Sequence, residues 1–130
     1  MMRFLIDTHV LIWCLNGDSA LPSKWVKILD IAENIPVVSI VSLLEISIKM
    51  SLKKLEITNT LEQIHTYITS NGFEILSINL AHLNTLLTLP LPHHHKDPFD
   101  RLLIAQAFTE NLSIISADRH FGSYPVDVIW

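Results

Sequence analysis

Hydrophobic positions along the chain fall into two kinds of run, and the two kinds alternate. Arg3 to Ile6, Val37-Val38, Phe73 to Leu76, Ser113 to Ser116 and Val126 to Ile129 are short and apolar without strict alternation, the pattern of strands buried on both faces. Between them, apolar residues recur every three or four positions. That periodicity predicts helices over Thr8–Leu15, Ser23–Ala32, Val41–Lys53, Leu61–Asn71, Ala81–Leu87 and Pro98–Glu110, with Pro90 to Pro92 as a break. Strands alternating with helices imply an α/β sandwich around a parallel sheet, with helices on both faces.

The chain has 130 residues and no repeat or linker, so residues 1–130 are expected to form a single domain, large enough to bury roughly two-thirds of its unfolded surface. It is 49% hydrophobic and only 17% charged, which excludes intrinsic disorder and leaves apolar surface for a partner to cover. The longest apolar run, Val10 to Leu15, is far too short to span a bilayer, and no signal-like segment opens the chain. A cytoplasmic protein without a membrane association is expected. The one cysteine, Cys14, excludes an internal disulfide and a paired-thiolate zinc site, and reads as a small packing residue. A net charge of −4 excludes a generic basic nucleic-acid binder, so a polyanionic substrate needs positive charge from elsewhere.

The acids draw attention by where they fall. Asp7 ends the first strand, Glu45 lies about a turn into the helix after Val37-Val38, Asp97 and Asp100 open the Pro98 helix, and Asp118 follows the Ser113 strand. In an open parallel sheet, strand ends and the starts of neighbouring helices share one edge, where such folds place their sites. Asp100 shares a helical stripe with Leu103, Ile104, Ala107 and Phe108, which aims it at the core side. Glu45 shares one with Val41, Ile48, Lys49 and Leu52. Each acid also has a plainer reading. Asp7 suits a helix N-cap, Ser42-Leu43-Leu44-Glu45 fits a capping box, Asp97 before Pro98 is a well-formed cap, Asp100 sits at the positive end of a helix, and Asp118 suits a turn. Capping explains any one of them more readily than it explains all of them sharing an edge.

Clustered, half-buried carboxylates take up protons or recruit a cation, and an all-oxygen set selects Mg²⁺ or Mn²⁺ over zinc. Without Asp7, Glu45, Asp100 and Asp118 the chain holds nine acids against nine bases, so the excess negative charge is the site itself. A divalent ion there would bring the missing positive potential to a phosphodiester and activate a water for hydrolysis.

Phe4 to Trp13, Ser39 to Ile46, Asp97 to Ala107, and Ser116-Ala117-Asp118 ahead of Phe121 resemble the PIN-domain proteins, and more narrowly the VapC toxins of bacterial type II toxin–antitoxin modules. The resemblance covers essentially the whole chain and keeps the acids in the family's order. It implies a PIN-like three-layer sandwich with a central parallel sheet of four to five strands. It further implies a metal-dependent endoribonuclease, often dimeric, held inactive by a VapB-like antitoxin. Carried over position by position, Asp7, Glu45, Asp100 and Asp118 are the catalytic, metal-binding acids with Mg²⁺ (or Mn²⁺) as cofactor and RNA as substrate. Ser116 and Thr8 support them, and Asp97 matches an extra acid of a subgroup.

Weaker signals remain. His93, His94 and His95 depart from the family pattern and suit a polar loop as well as a metal or phosphate contact. Lys49, Lys53 and Lys54 suit RNA backbone, though a Lys49–Glu45 pair or solvation is the plainer reading; Arg101 points a quarter turn from Asp100, toward phosphate or an antitoxin. Trp13 and Trp25 read as packing residues. Two competing functions stand beside the nuclease: a non-catalytic PIN-like binding module whose acids are caps, and an aspartyl-phosphate phosphatase with Asp7 as nucleophile. The latter lacks the second aspartate two residues beyond Asp7.

Overall fold

In a computed structural model that describes residues 1–91 and 97–130, five parallel strands form one sheet in the order β3-β2-β1-β4-β5. They are β1 (Arg3–Ile6), β2 (Ile35–Ser39), β3 (Glu74–Leu76), β4 (Ser113–Ile115) and β5 (Val128–Ile129). Central β1 is paired on both sides, Leu5 standing against Val37 of β2 and Ile114 of β4. The chain thus winds outward through β2 to β3, then returns past β1 to lay down β4 and β5. Such a reversal opens a crevice beyond the carboxyl ends of the two strands that flank it, here β1 and β4. His93, His94 and His95 lie outside the described residues.

Parallel strands need crossovers, and helices supply them: α1 (Thr8–Asn16), α2 (Ser23–Leu29), α3 (Ile40–Ser51), α4 (Leu61–Ser70), α5 (Leu80–Thr88) and α6 (Pro98–Glu110). The expected three layers are present. Phe4, Ile6, Val38 and Ile115 face one core with Val10, Trp25, Ile46 and Ile64, while Leu5, Val37 and Ile114 face the other with Leu103, Ile104 and Ala107. Successive side chains of a strand point to opposite faces, and here both faces are covered. That is why the strands read as unbroken apolar runs. Each fully buried aliphatic side chain in these cores stabilises the fold by roughly 1.5–3 kcal/mol.

Helix ends explain most departures from the expected boundaries. Helix α3 starts at Ile40 because Ser39 caps it, its hydroxyl accepting from the Val41 amide at 3.0 Å. The expected capping box from Ser42 to Glu45 is therefore wrong: Ser42 is buried within the helix and accepts from the Thr8 hydroxyl at 2.9 Å. Asp97 caps α6 as expected, accepting from the Asp100 amide at 3.0 Å with Pro98 in the first position. Helix α1 ends on Gly17 at φ 61°, and α3 ends on the same turn with Lys53 at φ 55°. The 3₁₀ turn Arg119–Ser123 was not predicted, since five residues show no helical period.

Packing corrects two further expectations. Phe108 does not belong to the core-facing stripe of α6; it is 51% exposed. Ile48 and Leu52 likewise leave the core on α3. Arg101 is half-buried, donating to the Pro90 carbonyl at 2.6 Å and lying over the Tyr124 ring. Trp25 is buried and Trp13 packs on Trp130, so both tryptophans are packing residues as read. Cys14 is partly buried against the first core, and burial pushes its thiol up to about 11.

Candidate active site

The site begins where β1 ends. The Asp7 amide continues the β1–β4 ladder by donating to the Ile115 carbonyl at 3.1 Å, which fixes the residue at the mouth of the crevice. Its side chain folds back to cap α1, accepting from the Val10 amide at 2.8 Å. Asp7 is 4% exposed. Burial raises its carboxyl above the ordinary value; a hydrogen bond from Ser116, the Val10 amide and nearby His9 pull it back, and the charge of Asp118 pushes it further up.

Ser116 and Asp118 come from the other side of the crevice. Ser116 continues β4, is buried, and accepts from the Asp118 amide at 3.0 Å while bonding to Asp7. Asp118 caps the 3₁₀ turn through the His120 amide at 2.9 Å and stands 3.4 Å from the His120 ring nitrogen. The structure thus brings Asp7, Ser116 and Asp118 together, as the sequence reading places them.

Glu45 and Asp100 lie on helices that begin at the same edge. Because α3 follows β2 it starts at the carboxyl edge of the sheet, and Glu45 lies about 8 Å along its axis from that start. The Thr8–Ser42 hydrogen bond locks this turn of α3 to the first turn of α1. Glu45 is 4% exposed, with Lys49 Nζ 2.6 Å from Oε2 and with Oε1 buried and lacking a hydrogen-bond partner among the described residues. Helix α6 leads into β4 and runs back from the carboxyl edge, so the half-buried Asp100 in its first turn opens on that edge. Asp97 beside it is exposed and occupied as the cap.

Two polar residues that the sequence reading passed over hold this edge in shape. Gln106, buried in α6, accepts from the Ser39 hydroxyl and donates to the Ser77 carbonyl at 3.3 Å. Buried His82 meets Gln106 through Nδ1 at 3.3 Å. The sequence signal for Gln106 was a lone polar residue between Ala105 and Ala107 on a core-facing stripe.

Among the described residues, no three His, Cys, Asp or Glu side chains stand together as a ready metal cage. The groups nonetheless suit a hard cation: the donors are all oxygen, Asp7 is buried beside a second carboxylate, and a buried Glu45 oxygen lacks a partner among the described residues.

The sequence profile of the PIN domain matches residues 4–126. The chain belongs to the PIN domain family. Among curated proteins no sequence matches it. Its fold is shared by chains of solved VapBC assemblies and their like. One is VapBC2 from Rickettsia felis bound to a DNA fragment from their promoter, 17% identical over 99% of each chain with TM-score 0.72. FitAcB from Neisseria gonorrhoeae is 18% identical over 99% of this chain and 97% of that one, TM-score 0.66. A toxin–antitoxin complex from Klebsiella pneumoniae is 18% identical over 98% and 96%, TM-score 0.64. At such identities the likeness is one of fold.

Proposed function

We propose that this PIN domain is a Mg²⁺- or Mn²⁺-dependent endoribonuclease, the toxin of a VapBC-type pair acting in the cytoplasm. The observation that carries the reading is buried Asp7 held between Ser116 and the charge of Asp118 at the sheet's switch point. PIN domains are generally nucleases that depend on a divalent metal.

In this reading Asp7, Glu45, Asp100 and Asp118 hold the ion. A bound divalent ion supplies a Lewis acid for the phosphodiester and a water of lowered pKa to attack it. The protein's own residues arrange the ligands. Ser116 fixes the rotamer of Asp7, Thr8 ties α1 to the Glu45 turn, and Asp97 sets the start of the helix that presents Asp100. Four carboxylates repel RNA phosphate until a cation offsets them, which ties substrate binding to the ion.

Two exposed apolar stripes support the partners. Ile40, Leu44, Ile48 and Leu52 run along α3, beside Leu61 of α4, and Leu80, Leu83 and Leu87 run along α5. On these faces we place a second copy of the chain and a VapB-like antitoxin. An RNA cleavage assay tests the activity: products should form with Mn²⁺ or Mg²⁺, vanish with EDTA, and be absent for Asp100→Asn. The non-catalytic alternative draws on the finding that Asp7, Asp97 and Asp118 all serve as caps. Folded protein that neither binds Mn²⁺ nor cleaves RNA would favour it.

A further inference from the structure

Lys49 lies one turn beyond Glu45 on α3, its ammonium 2.6 Å from Glu45 Oε2. On an open helix face such an i,i+4 pair joins two solvated groups and contributes little. This pair is lopsided: the Glu45 side chain is 5% exposed and that of Lys49 is 35% exposed. A flexible stem anchored at the rim carries a positive charge inward to a carboxylate already removed from water. The ammonium answers only one side of that carboxylate, because Oε1 is buried without a hydrogen-bond partner among the described residues. One oxygen is held by a side-chain cation and the other is buried and, among the described residues, unsatisfied.

We propose that Lys49 is a built-in counter-ion of the acidic site, holding Glu45 in the metal-free protein and competing with a divalent ion for it. The inference rests on the reading of Glu45 as a metal ligand. A carboxylate out of water requires an opposite charge, and the fold supplies one four residues away, so Glu45 is held in place before any metal arrives. That service has a consequence for affinity. An ion sharing the carboxylate with the ammonium lies within about 6 Å of it, where even the dielectric of water lowers dication affinity on the order of tenfold. If the ion instead displaces Lys49, the unbranched, half-exposed stem has solvent to swing into. Either way Lys49 holds the metal's affinity down, and occupancy follows the free ion concentration.

The test is Mn²⁺ binding by calorimetry to the full chain, with folding checked by circular dichroism, for wild type, Lys49→Met, Lys49→Arg and the double variant Glu45→Gln/Lys49→Met. Lys49→Met should tighten Mn²⁺ by about tenfold. Its metal-free melting temperature should fall, and its rise on adding Mn²⁺ should exceed that of wild type. Lys49→Arg keeps the charge and should resemble wild type, and Glu45→Gln in the Lys49→Met background should erase the gain. If Lys49→Met does not fold, Lys49→Gln serves in its place. Wild-type binding with unchanged or weaker binding by the neutral variant overturns the counter-ion role and leaves the metal reading standing. Absence of Mn²⁺ binding in every variant overturns the metal reading, and the counter-ion with it.

Discussion

Asp7 serves two purposes that pull against each other. As a cap its carboxylate satisfies the first turn of α1, and as a buried neighbour of Asp118 it is held in a place that disfavours charge. Because its carboxyl is raised in the folded chain, the folded state binds that proton more tightly than the unfolded one. Metal-free stability should therefore fall as pH rises from about 4 through the raised value, and level off above it. Asp7→Asn keeps the cap and removes the charge, so without divalent ions it should melt higher than wild type near neutrality, the gap closing in acid. A melting difference that does not change with pH would refute this. With Mn²⁺ present the order should reverse. Asp7 and Asp97 were legible as caps because capping is local, and Asp118 was legible only as a turn residue. The Ser39–Gln106 pair was not legible, since the two residues lie far apart along the chain and only the folded sheet brings them together.

At the scale of elements, local chemistry at helix ends sets the site's geometry. Asp97 and Asp100 open the same helix three residues apart, and the structure gives them different work: one is exposed and caps, the other is half-buried at the sheet edge. Asp97→Asn should remain a competent cap and retain RNA cleavage, Asp97→Ala should lose about 1 kcal/mol of stability, and Asp100→Asn should abolish cleavage in a folded protein. If Asp97→Asn is as inactive as Asp100→Asn, Asp97 belongs with the catalytic acids. The end of α3 offers a separate check. Lys53 and Lys54 close it with bonds to the carbonyls of Met50 at 3.0 Å and Lys49 at 2.9 Å, a turn that puts Lys53 in the left-handed region. Lys53→Gly relieves that conformation and should stabilise by about 1 kcal/mol in urea titration. Helix existence was legible from periodicity; the start of α3 was not, because a cap lies outside the periodic pattern it begins.

For the molecule as a whole, the layers were legible and the order of strands was not. Unbroken apolar runs show that both faces of a strand are covered, but they do not say that β1 takes the centre, which is fixed by pairing across most of the chain. The exposed stripes on α3 and α5 bear on assembly. Sedimentation at micromolar concentration should show a dimer, and replacing Leu80 and Leu87, 72% and 83% exposed, by Lys should yield monomers if α5 is the contact. A monomeric wild type would rule out self-association at that concentration. The central place of β1 also sets a timetable. Its two neighbours in the sheet come from opposite stretches of the chain, and at about 5–20 residues per second the ribosome delivers β4 seconds after β1. Until then Asp7 has neither Ser116 nor Asp118 beside it. The nascent protein is therefore built in an order that withholds its acidic edge until β4 has been made, whereas the apolar face of α3 is exposed early.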